Sequence, residues 1–261
     1  TYAEALEMQK VQHETGMTLN IGVVNRFNNA VNLIREYIQG GELGEVFHVY
    51  LSFRSHRSIP GLGGAFTTNA IAGGGALIDW GVHYLDIVMY CTGDPAPLTV
   101  SGKMTAHFGK NPDKYKDADR FTVDDDFAMA MIRCEGDVVI DYRASWAMNM
   151  DTTGDSLFFG TDAGLKVKAP VGCCWDGAAG DLILYKDDED GKQVATPIEI
   201  DGNNVKTNMF ECKVRAFVDA CLGDKVAPIP TSQILYNQAI IDGICKSAEL
   251  GREIEIDIPE I

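Results

Sequence analysis

The sequence predicts an α+β fold: a large, mainly antiparallel open sheet with helices on one face. Three observations carry that expectation. Between residues 46 and 200, apolar and polar residues alternate in successive short runs, as in half-buried strands. Turn residues such as Glu135-Gly136 stand between neighbouring runs and read as hairpins. Helical spacing is confined to the two ends of the chain and to one segment after a run of glycines.

Taken in order, residues 3–14 carry Leu6, Met8 and Val11 among polar residues, a surface helix that Gly16 ends. Leu19 to Val24 reads as a short buried strand. Asn28 or Asn29 caps the next helix, which repeats Val31, Ile34 and Ile38 and stops at Gly40-Gly41. The period then changes. In 46–54, Phe47, Val49, Leu51 and Phe53 alternate with His48, Tyr50, Ser52 and Arg54. Further strands are expected near 98–108, 125–134, 137–146, 155–160, 163–168, 181–185 and 193–200. Asp187 to Asp190 with Gly191 reads as a solvated hairpin tip, because adjacent carboxylates alone make no shaped cage. Asn208 with Glu211 forms a capping pair, and Phe210, Val214, Phe217 and Cys221 line one face of the helix that follows. The last helix starts after Pro228 and Pro230, carries Leu235, Ala239 and Ile244, and ends at Gly251.

Composition narrows the function. The 261 residues are 46% hydrophobic and 23% charged, ordinary for a globular chain with a sizeable core. Asp plus Glu number 38 against 22 Lys plus Arg, a formal charge of -16. Such a surface repels phosphate backbones and anionic lipid, so neither nucleic acid nor membrane is the expected partner. No apolar run approaches the roughly 20 residues of a membrane-spanning helix. A neutral small molecule such as a sugar fits better, and the expected location is cytoplasmic. The 7 cysteines have irregular spacing and no Cys-x-x-Cys, which argues against a disulfide framework or a structural zinc site. Most read as buried thiols. The vicinal Cys173-Cys174, in a Gly/Pro-rich loop, is a candidate redox or metal position.

The chemistry is densest in Gly73-Gly74-Gly75-Ala76-Leu77-Ile78-Asp79-Trp80-Gly81-Val82-His83-Tyr84-Leu85-Asp86. The glycines permit close backbone approach and run into a helix starting near Ile78–Trp80. Asp79, His83 and Asp86 are spaced i, i+4 and i+7 and share a helical face. A carboxylate beside an imidazole fixes its tautomer and stabilises its protonated form, the equipment of a general base at neutral pH. Spacing alone leaves other readings open: a packed histidine with Asp79 as a cap, or an ion shared by Asp79, His83 and Asp86.

The Gly-Gly-Gly-x-x-x-Asp-x-Gly-x-His-x-x-Asp run resembles the signature of the Gfo/Idh/MocA oxidoreductases. Five further segments follow the family in the same order: Gly22 to Phe27, Gly41 to Val46, Ala144-Ser145-Trp146, Gly160 to Gly164 and Ser247 to Arg252. The resemblance implies a substrate domain of the glyceraldehyde-3-phosphate-dehydrogenase-like type over 27–261. It implies that residues 1–26 are the last helix and strand of a Rossmann domain. NAD or NADP would be held mainly by the part of that domain outside this sequence, and the substrate would be a sugar, glycoside or polyol. By carry-over His83 moves the proton, Asp79 orients it or binds substrate hydroxyls, Asp86 lies at the substrate, and Arg26 touches the cofactor. Two departures stand out. No dinucleotide fingerprint follows an early strand, and the family's Glu-Lys-Pro segment is absent. This chain alone is therefore expected to bind no dinucleotide in the usual way and to be inactive.

Arg54, His56 and Arg57 end a strand ahead of the signature and are candidate contacts to substrate hydroxyls or a carboxylate, or else a solvated basic turn. Trp146 is a candidate sugar-stacking ring, or else a core residue, since Val138, Ile140, Tyr142 and Ala144 share its strand face. The sheet face without helices is expected to pair subunits as a homodimer or homotetramer. Two other functions stay open: a non-catalytic sugar-binding or assembly module, and a metal-dependent isomerase or lyase.

Overall fold

The computed structural model describes residues 1–150, 154–168, 182–200, 208–223 and 226–259. Helix α1, Tyr2–Thr15, is closed at its start by a Thr1–Glu4 capping box and at its end by left-handed Gly16. Helix α2, Asn29–Gln39, is capped by the Asn28 carboxamide and buries Val31, Ile34 and Ile38. The strands follow the predicted order. They are β1 Val46–Arg54, β2 Pro97–Thr105, β3 Phe127–Cys134, β4 Val139–Ser145, β5 Ser156–Gly160, β6 Ala163–Val167, β7 Leu182–Asp187, β8 Gln193–Ile198 and a short β9, Ile254–Glu255. They form one 9-stranded sheet in the order β8-β7-β6-β5-β1-β4-β3-β2-β9. Neighbours are antiparallel except β1 and β4, which run parallel. The β3–β4 hairpin turns through Gly136 (φ 72) and Asp137 (φ 60), a left-handed pair that glycine makes easy.

Helix α4, Val82–Thr92, packs on β1 and against α2, and α6, Thr231–Leu250, packs on β2 and β3. The core lies between these helices and one sheet face. Val49, Leu51, Ile132, Ile140, Tyr142, Leu85 and Ile244 are buried there. On the opposite face the register places Tyr185, Phe159, His48 and Val139 in one cross-strand row, and Ile183, Leu157, Tyr50 and Met131 in the next. These side chains are half-buried or exposed and have no helical cover among the described residues; the second row also carries Lys166 and Asp141, so the face is mixed, with apolar side chains between charged ones.

Three expectations are corrected. Residues 19–24 are not a strand. A strand needs a ladder, and among the described residues the one backbone–backbone bond from this segment to a distant part of the chain runs from Ile21 N–H to the Ile229 carbonyl. Phe47 does not share the buried row of Val49, because the β1–β5 register shifts between Val46 and His48 and leaves Phe47 47% exposed. In α5, Met209–Cys221, the apolar stripe is where spacing puts it but faces outward. Ala220 is buried, whereas Phe210, Val214, Val218 and Leu222 are exposed. Of the thiols, Cys91 and Cys134 are buried, Cys212 and Cys245 half-buried and Cys221 exposed. The Cys173-Cys174 pair lies outside the described residues.

Candidate functional site

The glycine run is pinned from below. Gly73, left-handed at φ 76, closes the short helix α3, Asn69–Ala72. Asp125 precedes β3, is fully buried, and accepts the N–H groups of Gly75 at 2.8 Å and Leu77 at 2.7 Å. These donors open a wide π turn, Leu77–Gly81, that runs directly into α4. The helix therefore starts just ahead of the predicted position. Gly81 completes the wide turn, and a methyl on it would overlap the buried Tyr142 hydroxyl rising from β4. Burial holds the Asp125 carboxyl up at about 6 despite its two amide partners, and its neighbours Asp126 and Asp124 push the same way.

Asp79 sits inside the wide turn and His83 in the first turn of α4. Asp79 is half-buried, and its Oδ2 accepts the indole N–H of Trp146 at 3.1 Å. Burial raises its pKa, opposed by the Trp146 bond and by His83. His83 is also half-buried. Burial lowers its pKa, Asp79 and Asp86 push it up, and Lys213 pushes it down. Its Nδ1 is enclosed and has no hydrogen-bond partner among the described residues. An imidazole held neutral beside a carboxylate can accept a proton near neutral pH. The pair stands by the C-terminal ends of β1 and β4: Phe53 stacks on Trp80 at 4.5 Å and on Tyr84 at 4.6 Å, and Trp146 follows directly on β4.

The structure joins Asp79 to Trp146, sets Asp79, Asp86 and Lys213 near enough to His83 to act on its charge, and gives the remaining expected residues other neighbours. Trp146 is 0% exposed and meets Phe121 edge-on, so it offers no ring face to a ligand. Its part is to hold Asp79. Asp86 offers no exposed atom either. It is 0% exposed and bound to Arg26 and Asn237. Arg26, the expected cofactor contact, is buried and committed to that pair, with Nη2 2.7 Å from Asp86. Arg57 donates to the Met148 carbonyl at 2.9 Å and to Asn149 Oδ1 at 2.8 Å, and lies over Phe108. His56 is exposed beside it, with its carbonyl bonded by Met148 N–H, and Arg54 ends β1 next to Ser145. Lys213 was not singled out by the sequence. It lies on the inward side of α5, bonded to the Gly22 carbonyl at 3.1 Å. Only the chain's folding places it by His83. Asp125 was missed as well, although the Asp124-Asp125-Asp126 run was a visible signal.

Two observations bear on a dinucleotide. The sequence has no glycine fingerprint, and the one cation expected at the cofactor is spent on Asp86. Among the described residues, no three His, Cys, Asp or Glu side chains converge as a metal site, and no helix is long and apolar enough to cross a membrane.

Residues 31–166 match the model of the GFO/IDH/MocA C-terminal domain. D-glucoside 3-dehydrogenase of Escherichia coli (strain K12) is 26% identical over 262 residues, covering 98% of this chain and 70% of that protein. An oxidoreductase domain protein from Kribbella flavida shares the fold with a TM-score of 0.79 at 20% identity, over 99% of this chain and 72% of that one. Levoglucosan dehydrogenase, solved in complex with NADH, superposes with a TM-score of 0.78 at 18% identity, over 100% of this chain and 71% of that one.

Proposed function

Because the chain belongs to the GFO/IDH/MocA family of oxidoreductases, we propose that residues 27–261 are the substrate-binding and oligomerisation domain of an enzyme acting on a sugar, glycoside or polyol CH–OH group. Residues 1–26 are the end of a dinucleotide-binding domain, and the 261-residue chain by itself carries out no hydride transfer. The observation that carries the reading is the site itself: Asp79, fixed by Trp146, beside an imidazole that burial holds neutral. The glucoside 3-dehydrogenase relative supports the substrate class.

His83 takes the hydroxyl proton as the carbonyl forms. Asp79 orients the imidazole and stabilises its protonated form. Burial opposes that protonation in the resting state, and Lys213 adds to it. Trp146 keeps Asp79 from rotating away. NAD or NADP, held in the main by residues outside this sequence, supplies the hydride acceptor. The open sheet face pairs subunits and covers Ile183, Leu157, Tyr50 and Phe159, which are otherwise left partly in water.

The test is turnover. The gene product that carries this chain is assayed with D-glucosides, free sugars and polyols, with NAD and with NADP. Reduced dinucleotide formed in step with substrate loss is expected. No turnover with any of them, alongside measurable sugar binding, would replace the reading with a binding module.

A further inference from the structure

Behind His83, one helical turn along α4, lies a buried ion pair that the proposed proton transfer does not itself use. The Asp86 oxygens accept Arg26 Nε at 3.0 and 3.2 Å, Arg26 Nη2 at 2.7 Å and Asn237 Nδ2 at 3.1 Å. Arg26 Nη1 donates to Gln233, its guanidinium lies 4.8 Å from the Tyr90 ring centre, and its carbonyl accepts Asn32 Nδ2 at 3.2 Å. The network thus joins the 25–27 turn, α2, α4 and α6. A guanidinium–carboxylate fork fixes angle as well as distance, and a buried carboxylate keeps its charge only when paired.

We propose that Asp86, held by Arg26, is a positioning residue for His83: it clamps α4 to the 25–27 turn and to α6 and keeps a negative charge beneath the imidazole. The proposal rests on His83 as the proton-transfer residue. The groups facing His83 are Asp79 from the wide turn, Asp86 from its own helix and Lys213 from α5. Those around Asp86 are Arg26, Asp94 just beyond α4 (3.9 Å from Arg26), and the neutral Gln233 and Asn237 of α6. Arg35 of α2 shares the Tyr90 ring with Arg26, at 4.5 Å.

The experiment is an NMR titration of the His83 imidazole in the full 261-residue chain, its resonance assigned with His83→Gln. Asp86→Asn removes the negative charge and leaves Arg26 unpaired, so the His83 midpoint moves to lower pH. Asp86→Asn with Arg26→Gln removes both charges, and the midpoint falls between the wild type and the single variant. A pair that only braces the fold would lower the unfolding midpoint of these variants and leave the titration in place, which overturns the proposal. If an unpaired buried Arg26 unfolds the single variant, the neutral double variant decides alone. Its His83 midpoint lies below the wild type if the proposal holds and coincides with it if the proposal fails. A shifted midpoint with unaffected turnover in a His83→Asn enzyme would instead reject the acid–base reading and leave the clamp standing.

Discussion

Gly81→Ala tests how the wide turn is built. The backbone at Gly81 is helical (φ -60, ψ -40), so alanine brings no strain of its own. In an ordinary helix it would gain about 1 kcal/mol from propensity. Here its methyl would overlap the Tyr142 hydroxyl, while the next atoms, the Ala76 carbonyl oxygen and Leu77 Cδ1, are 3.4 Å away. Tyr142 is 0% exposed and cannot swing aside, so the overlap costs about 1–3 kcal/mol, as overpacking does. The net expectation is a loss of about 0–2 kcal/mol. Tyr142→Phe removes the obstructing oxygen. That oxygen has no hydrogen-bond partner among the described residues, so its removal alone is near neutral, within about 0.5 kcal/mol. In the Phe background Gly81→Ala becomes neutral or stabilising. The cycle should show a coupling of about 2 kcal/mol in urea unfolding followed by tryptophan fluorescence. An equal effect of Gly81→Ala in both backgrounds would refute the packing argument.

Three further outcomes are expected. Trp146→Phe removes the donor that holds Asp79 and leaves a void, a loss of about 1–3 kcal/mol in urea unfolding together with reduced turnover; full turnover would detach Trp146 from the site. The folded pKa of Asp125, about 6, stands above its ordinary 3.8, so its contribution to stability is full below the unfolded value and is lost as pH rises through the folded one. Wild-type stability relative to Asp125→Asn should fall by about 2 kcal/mol as the pH rises from about 4 to about 7, from the size of that shift; a constant gap would contradict it. Leu157→Lys, on the open sheet face, should convert an oligomer to monomers by light scattering; a monomeric wild-type chain would refute pairing through that face.

The strands were legible because burial of one sheet face imposes a period of two, and the β3–β4 hairpin because Glu135-Gly136 interrupts that period. The Leu19–Val24 segment was misread for a physical reason: its apolar run suits a strand, but a strand exists only where a neighbour pairs with it. The stripe on α5 was found by its spacing, yet spacing cannot say whether a stripe faces the core. The same limit governs the site. Helical spacing put Asp79, His83 and Asp86 on one face, but it could not foresee that the Tyr142 hydroxyl stands where Gly81 closes a wide turn, or that Arg26 waits behind α4 for Asp86. Lys213 and Asp125 come from distant stretches of chain, and no local pattern links them to residues 73–86.

The central claim is that His83, set by Asp79, moves the substrate proton. The direct test is kcat/KM for a D-glucoside near neutral pH, wild type against His83→Asn, in the gene product that carries this chain. The account predicts a fall of roughly 100-fold or more, the usual range for loss of a general base, with the fold intact. A folded His83→Asn enzyme with unchanged kcat/KM would contradict it.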